Sequence, residues 1–322
     1  MDVRASLSEA FWAIPFNLYT AFLFTKSDFK TILAPTMCCV LAALVSPSDI
    51  QVSTLDFLSA LANSFVWCWL NLFIFNIENQ TRSYSIIEDQ VNKKWRPIPS
   101  NRITLPSARM LRYFAILLCA IYSHYFGVSA LAGLFLYFGF LYNNTNIHKT
   151  ALARNVFCAL AYAIMGLGAD IVALRTSRHV STLTAVKPLT QLYLCDWKEL
   201  DSLSYQWLAV FSMVILSTIH VSDFPDIDGD IKLGRKTLPI LVGISRGTKV
   251  TAYMIMGWSV FIAFPNFASA TTFACGIFAM GMMVCYLLLR GQSDRWSRKH
   301  ERAYMYYTIW LGLIAFAPIL TR

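Results

Sequence analysis

Charge is scarce in this sequence. Only 14% of its 322 residues are Asp, Glu, Lys or Arg, against about 25% in an ordinary soluble domain. Hydrophobic residues make up 57%, and the mean hydropathy is +0.51. A soluble fold of this length lacks the interior to hide so much apolar side chain, so a free cytosolic enzyme and a disordered chain are excluded. With only 14 glycines and 11 prolines, a collagen-like repeat is excluded too. Low-complexity segments and CxxC pairs are also missing. Cys38, Cys39, Cys68, Cys119, Cys158, Cys275 and Cys285 lie inside apolar runs and only Cys195 in a polar stretch. They read as small hydrophobes, not as a disulfide scaffold or a metal set.

What is present is a succession of apolar stretches near the length that crosses a bilayer. Nine spans are expected, over about 29–46, 56–78, 108–124, 126–142, 152–173, 205–222, 249–265, 267–289 and 305–320. The expected fold is therefore all-α, a polytopic membrane bundle of about nine helices. Residues 1–28 precede it as an interfacial or membrane-embedded segment, and 29–322 form the catalytic domain. Ala10 to Thr25 is apolar but follows Asp2 and Glu9, unlike a cleaved signal.

Basic residues outnumber acidic ones, 27 to 18. Their placement explains the excess. If residues 1–28 face the cytoplasm, the loops on that side carry Arg82, Lys93, Lys94, Arg96, Arg102, Lys149, Lys232, Arg235 and Lys236, among others. The opposite side keeps Arg175, Arg178, Lys187 and Lys198 in one long loop. That is the positive-inside pattern, so the partner is a lipid bilayer and no nucleic acid is needed. The sequons at Asn79 and Asn143 then lie on the unglycosylated side. The endoplasmic reticulum is the default compartment.

The chemistry concentrates in two loops on that same side. Asp223-Phe224-Pro225-Asp226-Ile227-Asp228-Gly229-Asp230 packs four carboxylates into eight residues. On a helix continuing from span six, Asp223, Asp226 and Asp230 would share a face. Oxygen-only ligands suit Mg²⁺, which keeps waters and bridges to substrate phosphates. Lys232, Arg235 and Lys236 are placed to hold phosphate charge. A Ca²⁺ loop is the rival reading, but the terminal Glu of an EF-hand is missing. The earlier loop runs from Asn76 and Asn79 through Glu88, Asp89 and Asn92 to Arg96-Pro97-Ile98-Pro99-Ser100. Asn79, Glu88, Asp89 and Asn92 make a second oxygen-rich set, and Arg96 adds a bidentate phosphate donor. The prolines are expected to stop the helix.

These loops, in this order, resemble the UbiA superfamily of intramembrane prenyltransferases. Asp223, Asp226 and Asp230 with Gly234 and Thr237-Leu238-Pro239 match its second aspartate motif. Asn79 and Arg-Pro-Ile-Pro-Ser match the ends of the first, with Ser83 and Ile87 where two aspartates would stand. The acidic residues have moved to Glu88 and Asp89. That altered loop, with Phe24 to Ile32, is similar to a fungal terpene cyclase branch of the superfamily. The resemblance implies Mg²⁺-dependent ionisation of a prenyl diphosphate, farnesyl diphosphate favoured, followed by cyclisation. Asp223, Asp226, Asp230, Glu88 and Asp89 would be catalytic, and Arg96, Lys149, Lys232 and Arg235 would bind diphosphate. Trp67, Trp69, Tyr137, Tyr142, Tyr162 and Trp207 are candidates to face the cation, and Asp170 and His220 are polar groups at membrane depth. The alternative within the superfamily is a prenyltransferase acting on an aromatic or other acceptor. A transporter would place its carboxylates at mid-span, not at span ends, and an inactive relative would explain the altered first loop.

Overall fold

The computed structural model describes residues 3–45, 53–177, 202–266, 270–291 and 298–320. Arg178, Lys187 and Lys198, assigned above to a long loop, and Cys195, assigned to a polar stretch, lie outside them. Helices dominate: α1 (Val3–Asp28), α2 (Ala34–Val45), α3 (Thr54–Gln80), α4 (Ser83–Asn92), α5 (Leu105–Tyr125), α6 (Ser129–Asn144) and α7 (Ala151–Ser177). They are followed by α8 (Ser202–Thr218), α9 (Ile227–Lys232), α10 (Leu238–Val242), α11 (Ile244–Asn266), α12 (Thr271–Arg290) and α13 (Arg298–Phe316). Among the described residues no strand forms. A single parallel bridge, Thr150 to Lys236, ties the loop before α7 to the loop after α9.

Six helical segments are long and apolar enough to cross a membrane: Phe16–Val45, Thr54–Gln80, Leu105–Tyr125, Ala151–Ser177, Ser204–Asp223 and Thr271–Arg290. The other three expected spans also fall on helices, but α6 has only 16 residues. The first turns of α11 and α13 carry Arg246 and Lys249, and Arg298, Lys299, Glu301 and Arg302. Residue 28, where a boundary is expected, lies inside the continuous segment Phe16–Val45, in which α1 runs on into α2 through a π-helical turn, Phe29–Leu33.

Local signals account for two of the helix starts. Ser53 caps α3 by accepting from the Asp56 amide, and Thr104 caps α5 by accepting from the Ser107 amide, with proline in the first turn. Two apolar cores build the bundle. One joins α2, α3, α5, α6 and the deeper part of α7, and the other joins α8, α11, α12 and α13. The central helix α7 contributes to both, through Met165 and Ile171 on one side and Ala159 and Tyr162 on the other. Its N-terminal end therefore sits where the two halves meet.

Two sequence expectations need correction. Span six does not continue as one helix through the aspartates. The chain leaves α8 at Thr218 (φ −127°), tightens into a 3₁₀ turn over Ile219–Asp223, and re-forms a helix only at Ile227. The helix of the first loop also stops before its prolines, at Asn92, because Lys93 leaves helical geometry (φ −140°, ψ 56°).

Candidate active site

Both acidic loops fold back against the same end of the bundle. The C-terminal turns of α3 supply Asn76 and Asn79. The short helix α4 turns Glu88 and Asp89 inward, where both are buried. From the other half of the chain, the 3₁₀ turn places Asp223 and α9 places Asp230, both also buried.

A base holds each of the five predicted catalytic carboxylates. Arg96 Nη1 lies 2.7 Å from Asp89 Oδ1, and Lys93 Nζ lies 3.2 Å from Asp226 Oδ2. Arg235 reaches Asp230 at 2.8 Å and Glu88 at 3.0 Å, so it joins the two loops directly. Asp223 pairs with Arg154 in the first turns of α7. Asn92 directs its amide toward the Asp226 carbonyl at 3.5 Å and lies so close to Gly229 that a Cβ there would collide with it. Asn79 donates to Asn143 Oδ1 at 2.8 Å and accepts from Ser85 at 3.1 Å. Lys149 and Lys232 are exposed and do not line the cavity.

Burial pushes the Asp89 and Asp230 carboxyls above their usual range, and their arginine partners pull the other way. Asp226 differs. Burial raises it, but the Lys93 charge and hydrogen bond, helped by Arg154 and Arg96, outweigh that and hold it below the usual carboxylate value.

Beneath this charged lattice lies a cavity of about 220 Å³. Its polar end is lined by Glu88, Lys93, Arg96, Arg154, Asp226 and Arg235. The remainder is lined largely by apolar and aromatic side chains, among them Leu72, Phe75, Phe138, Phe157 and Ile164. Charged groups and a greasy, ring-lined pocket thus share one space.

The model of the UbiA prenyltransferase family matches residues 32–316. The chain belongs to the UbiA prenyltransferase family. It is an enzyme of terpene cyclase or prenyltransferase type in a multi-pass membrane fold. The fumagillin beta-trans-bergamotene synthase of Aspergillus fumigatus is 23% identical over 95% of this chain and 93% of its own. The somaliensene A/B synthase of Streptomyces somaliensis is 28% identical over 77% of this chain and 72% of its own. A UbiA homolog from Archaeoglobus fulgidus, solved bound to GPP and Mg²⁺, shares the fold at a TM-score of 0.58 and 12% identity, covering 93% of this chain and 99% of that one.

The donor set of this UbiA-family site fits magnesium in kind. Asp89 Oδ2, Asp223 Oδ2 and Asp230 Oδ2 are buried without a hydrogen-bond partner, which leaves three costly carboxylate oxygens open to a cation. Among the described residues, no three acidic, histidine or cysteine side chains already converge on one point. The guanidinium and ammonium partners hold the carboxylates apart, so the chemistry suits a hard divalent ion while the arrangement is that of a self-neutralised lattice.

Sequence reasoning overlooked three charged residues that line this cavity, Lys93 among them, which it read only as a topology charge. Arg154 occupies the opening of an apolar span, where a basic residue ordinarily reads as a topology signal. Asp28, which accepts a 2.5 Å hydrogen bond from Asn76 just before the π-turn, belongs to the 30-residue apolar segment Phe16–Val45. A carboxylate interrupting such a run was its available signal. Of the aromatic candidates, Tyr142 and Tyr162 line the cavity. The others do not: Trp67 bonds to Ser123, Trp69 to Thr25 and Trp207 to the Ile314 carbonyl, and Tyr137 is exposed. His220 is buried with Nδ1 facing the Asn155 amide at 3.4 Å. Asp170 lies apart, beside Cys39, Ser204 and Trp207.

Proposed function

We propose that this chain ionises a prenyl diphosphate, farnesyl diphosphate by preference, and cyclises the allylic cation to a sesquiterpene with release of diphosphate. The observation that carries this reading is the continuity of the cavity from Arg96, Arg154 and Arg235 at one end to Phe75, Phe138 and Phe157 along its walls. Arginine forks match phosphate oxygens in bidentate geometry, and aromatic faces attract a cation electrostatically. Magnesium, when bound, supplies Lewis-acid neutralisation of the leaving diphosphate. Glu88, Asp89, Asp223, Asp226 and Asp230 would hold it, with Asn79 and Asn92 beside them.

The residues of the chain divide the remaining work. Arg96, Arg154, Arg235 and Lys93 take the negative charge that builds on the departing diphosphate, an electrostatic contribution made where charge develops. The apolar walls exclude the water that would quench the cation. Lys149 and Lys232, exposed and outside the cavity lining, meet the diphosphate only at the entrance. In this reading the bundle crosses the membrane about nine times, the acidic loops face the cytoplasm, and the enzyme resides in the endoplasmic reticulum.

Membranes containing the protein, incubated with Mg²⁺ and farnesyl diphosphate alone, are expected to release diphosphate and a volatile hydrocarbon. An absolute requirement for an acceptor molecule would instead make the chain a prenyltransferase and sink the cyclase assignment.

A further inference from the structure

The apolar part of the cavity runs between α3, α6 and α7. Its lining on α7 extends from Arg154 to Ile164, a descent of about 15 Å at the ordinary helical rise. Much of the wall is a box of rings. Phe75 meets Phe135 and Tyr142 at 6.1 Å each, and Phe157 meets Tyr142 at 6.1 Å and Phe138 at 5.7 Å.

Gly139, on α6, lines the same cavity beside Phe75. A Cβ at this position would come 3.0 Å from Phe75 Cδ2 and 3.7 Å from Cε2. The first separation is closer than packed carbons ordinarily approach, because carbon pairs are most favourable at about 3.5–4.0 Å. Phe135 and Tyr142 flank the ring. With α6 against it and rings on both sides, Phe75 yields most easily into the cavity that it and Gly139 both line.

We propose that Gly139 is a specificity-determining residue: its missing side chain lets Phe75 lie back against α6 and keeps the cavity wide enough for the prenyl chain. A side chain at 139 drives the ring inward and penalises longer prenyl groups more than shorter ones. The inference rests on the reading of the cavity as the prenyl pocket and adds to it the pair of residues that sets chain-length selectivity.

The test uses the full chain in membranes with Mg²⁺ and geranyl, farnesyl or geranylgeranyl diphosphate, following diphosphate release. Gly139→Val is expected to lower kcat/KM for the longest accepted substrate, relative to the shortest, by about tenfold or more, the scale set by one misplaced methylene in an apolar pocket. Phe75→Leu is expected to move the ratio the other way, and the double variant to return it toward wild type. A general loss of structure would depress all substrates alike and would not be rescued by removing more side chain. An unchanged ratio in Gly139→Val, or a shifted ratio that Phe75→Leu fails to restore, overturns the proposal. Should Gly139→Val fail to accumulate, Phe75→Leu decides alone, and an unchanged ratio there also overturns it. Release from none of the three substrates by the wild-type protein would remove the functional reading and this inference with it. A wild-type enzyme that works with unmoved variant ratios removes this inference only.

Discussion

Glu88 and Arg235, 147 positions apart, meet fork to fork: Nη1 lies 3.1 Å from Oε1 and Nη2 3.0 Å from Oε2. Nη1 also reaches Asp230 at 2.8 Å. One guanidinium thus fastens the two acidic loops together, and bidentate geometry makes the fastening directional.

Replacing that fork has a consequence for pH. Burial raises the Asp230 carboxyl and Arg235 is among the groups that lower it. In Arg235→Met the lowering contribution disappears, so Asp230 binds its proton at higher pH. The acid limb of the rate profile is expected to shift upward, with activity lost earlier as pH falls. Diphosphate release measured against pH in wild type and variant checks this; coincident acid limbs refute it.

Asp226→Ala and Asp230→Ala are each expected to reduce diphosphate release by at least about 100-fold, on the scale of losing a preorganised electrostatic partner of a transition state. Expression should survive. Near-normal turnover in both variants would remove these aspartates from the mechanism.

Buried Asp223 pairs with the partly exposed Arg154, and removing the arginine leaves an uncompensated buried charge. Arg154→Met is expected to cost about 3–5 kcal/mol of stability. Arg154→Met with Asp223→Asn should recover part of that loss while remaining inactive. Thermal unfolding in detergent measures both variants, and a double variant no more stable than the single one would contradict the pairing.

Gly229 touches the other loop through Asn92, and a Cβ there would collide with that amide. Gly229→Ala is expected to force the loops apart and reduce turnover, whereas Gly229→Ala combined with Asn92→Ala should fold more stably than Gly229→Ala alone. Equal melting temperatures for the single and double variants would show that the contact does not constrain the loops.

Much of this architecture is legible in the chain because its causes are local. Apolar runs near bilayer length declare helices whatever surrounds them. Asp223, Asp226 and Asp230 stand out because four carboxylates in eight residues repel one another unless something neutralises them. Glu88, Asp89, Asn92 and Arg96 announce a second polar set by helical spacing and a following proline. Each of these signals is complete within about twenty-five residues.

Only the folded bundle decides what neutralises those charges. Arg154 and Asp28 enter the site from apolar helices, where sequence reads them as a topology signal and as part of a span. Thr218 breaks the helix that local spacing would have continued, so the aspartates reach their partners from a turn and a new helix, not from one shared face. Trp67 and Trp69 carry the same apolar signal as Phe75 and Phe157, yet the first two are spent on packing and hydrogen bonds while the others face the cavity. Periodicity tells which residues lie on one side of a helix. It does not tell which neighbour that side meets, because the neighbour comes from a distant part of the chain and its position is set by the packing of the whole bundle.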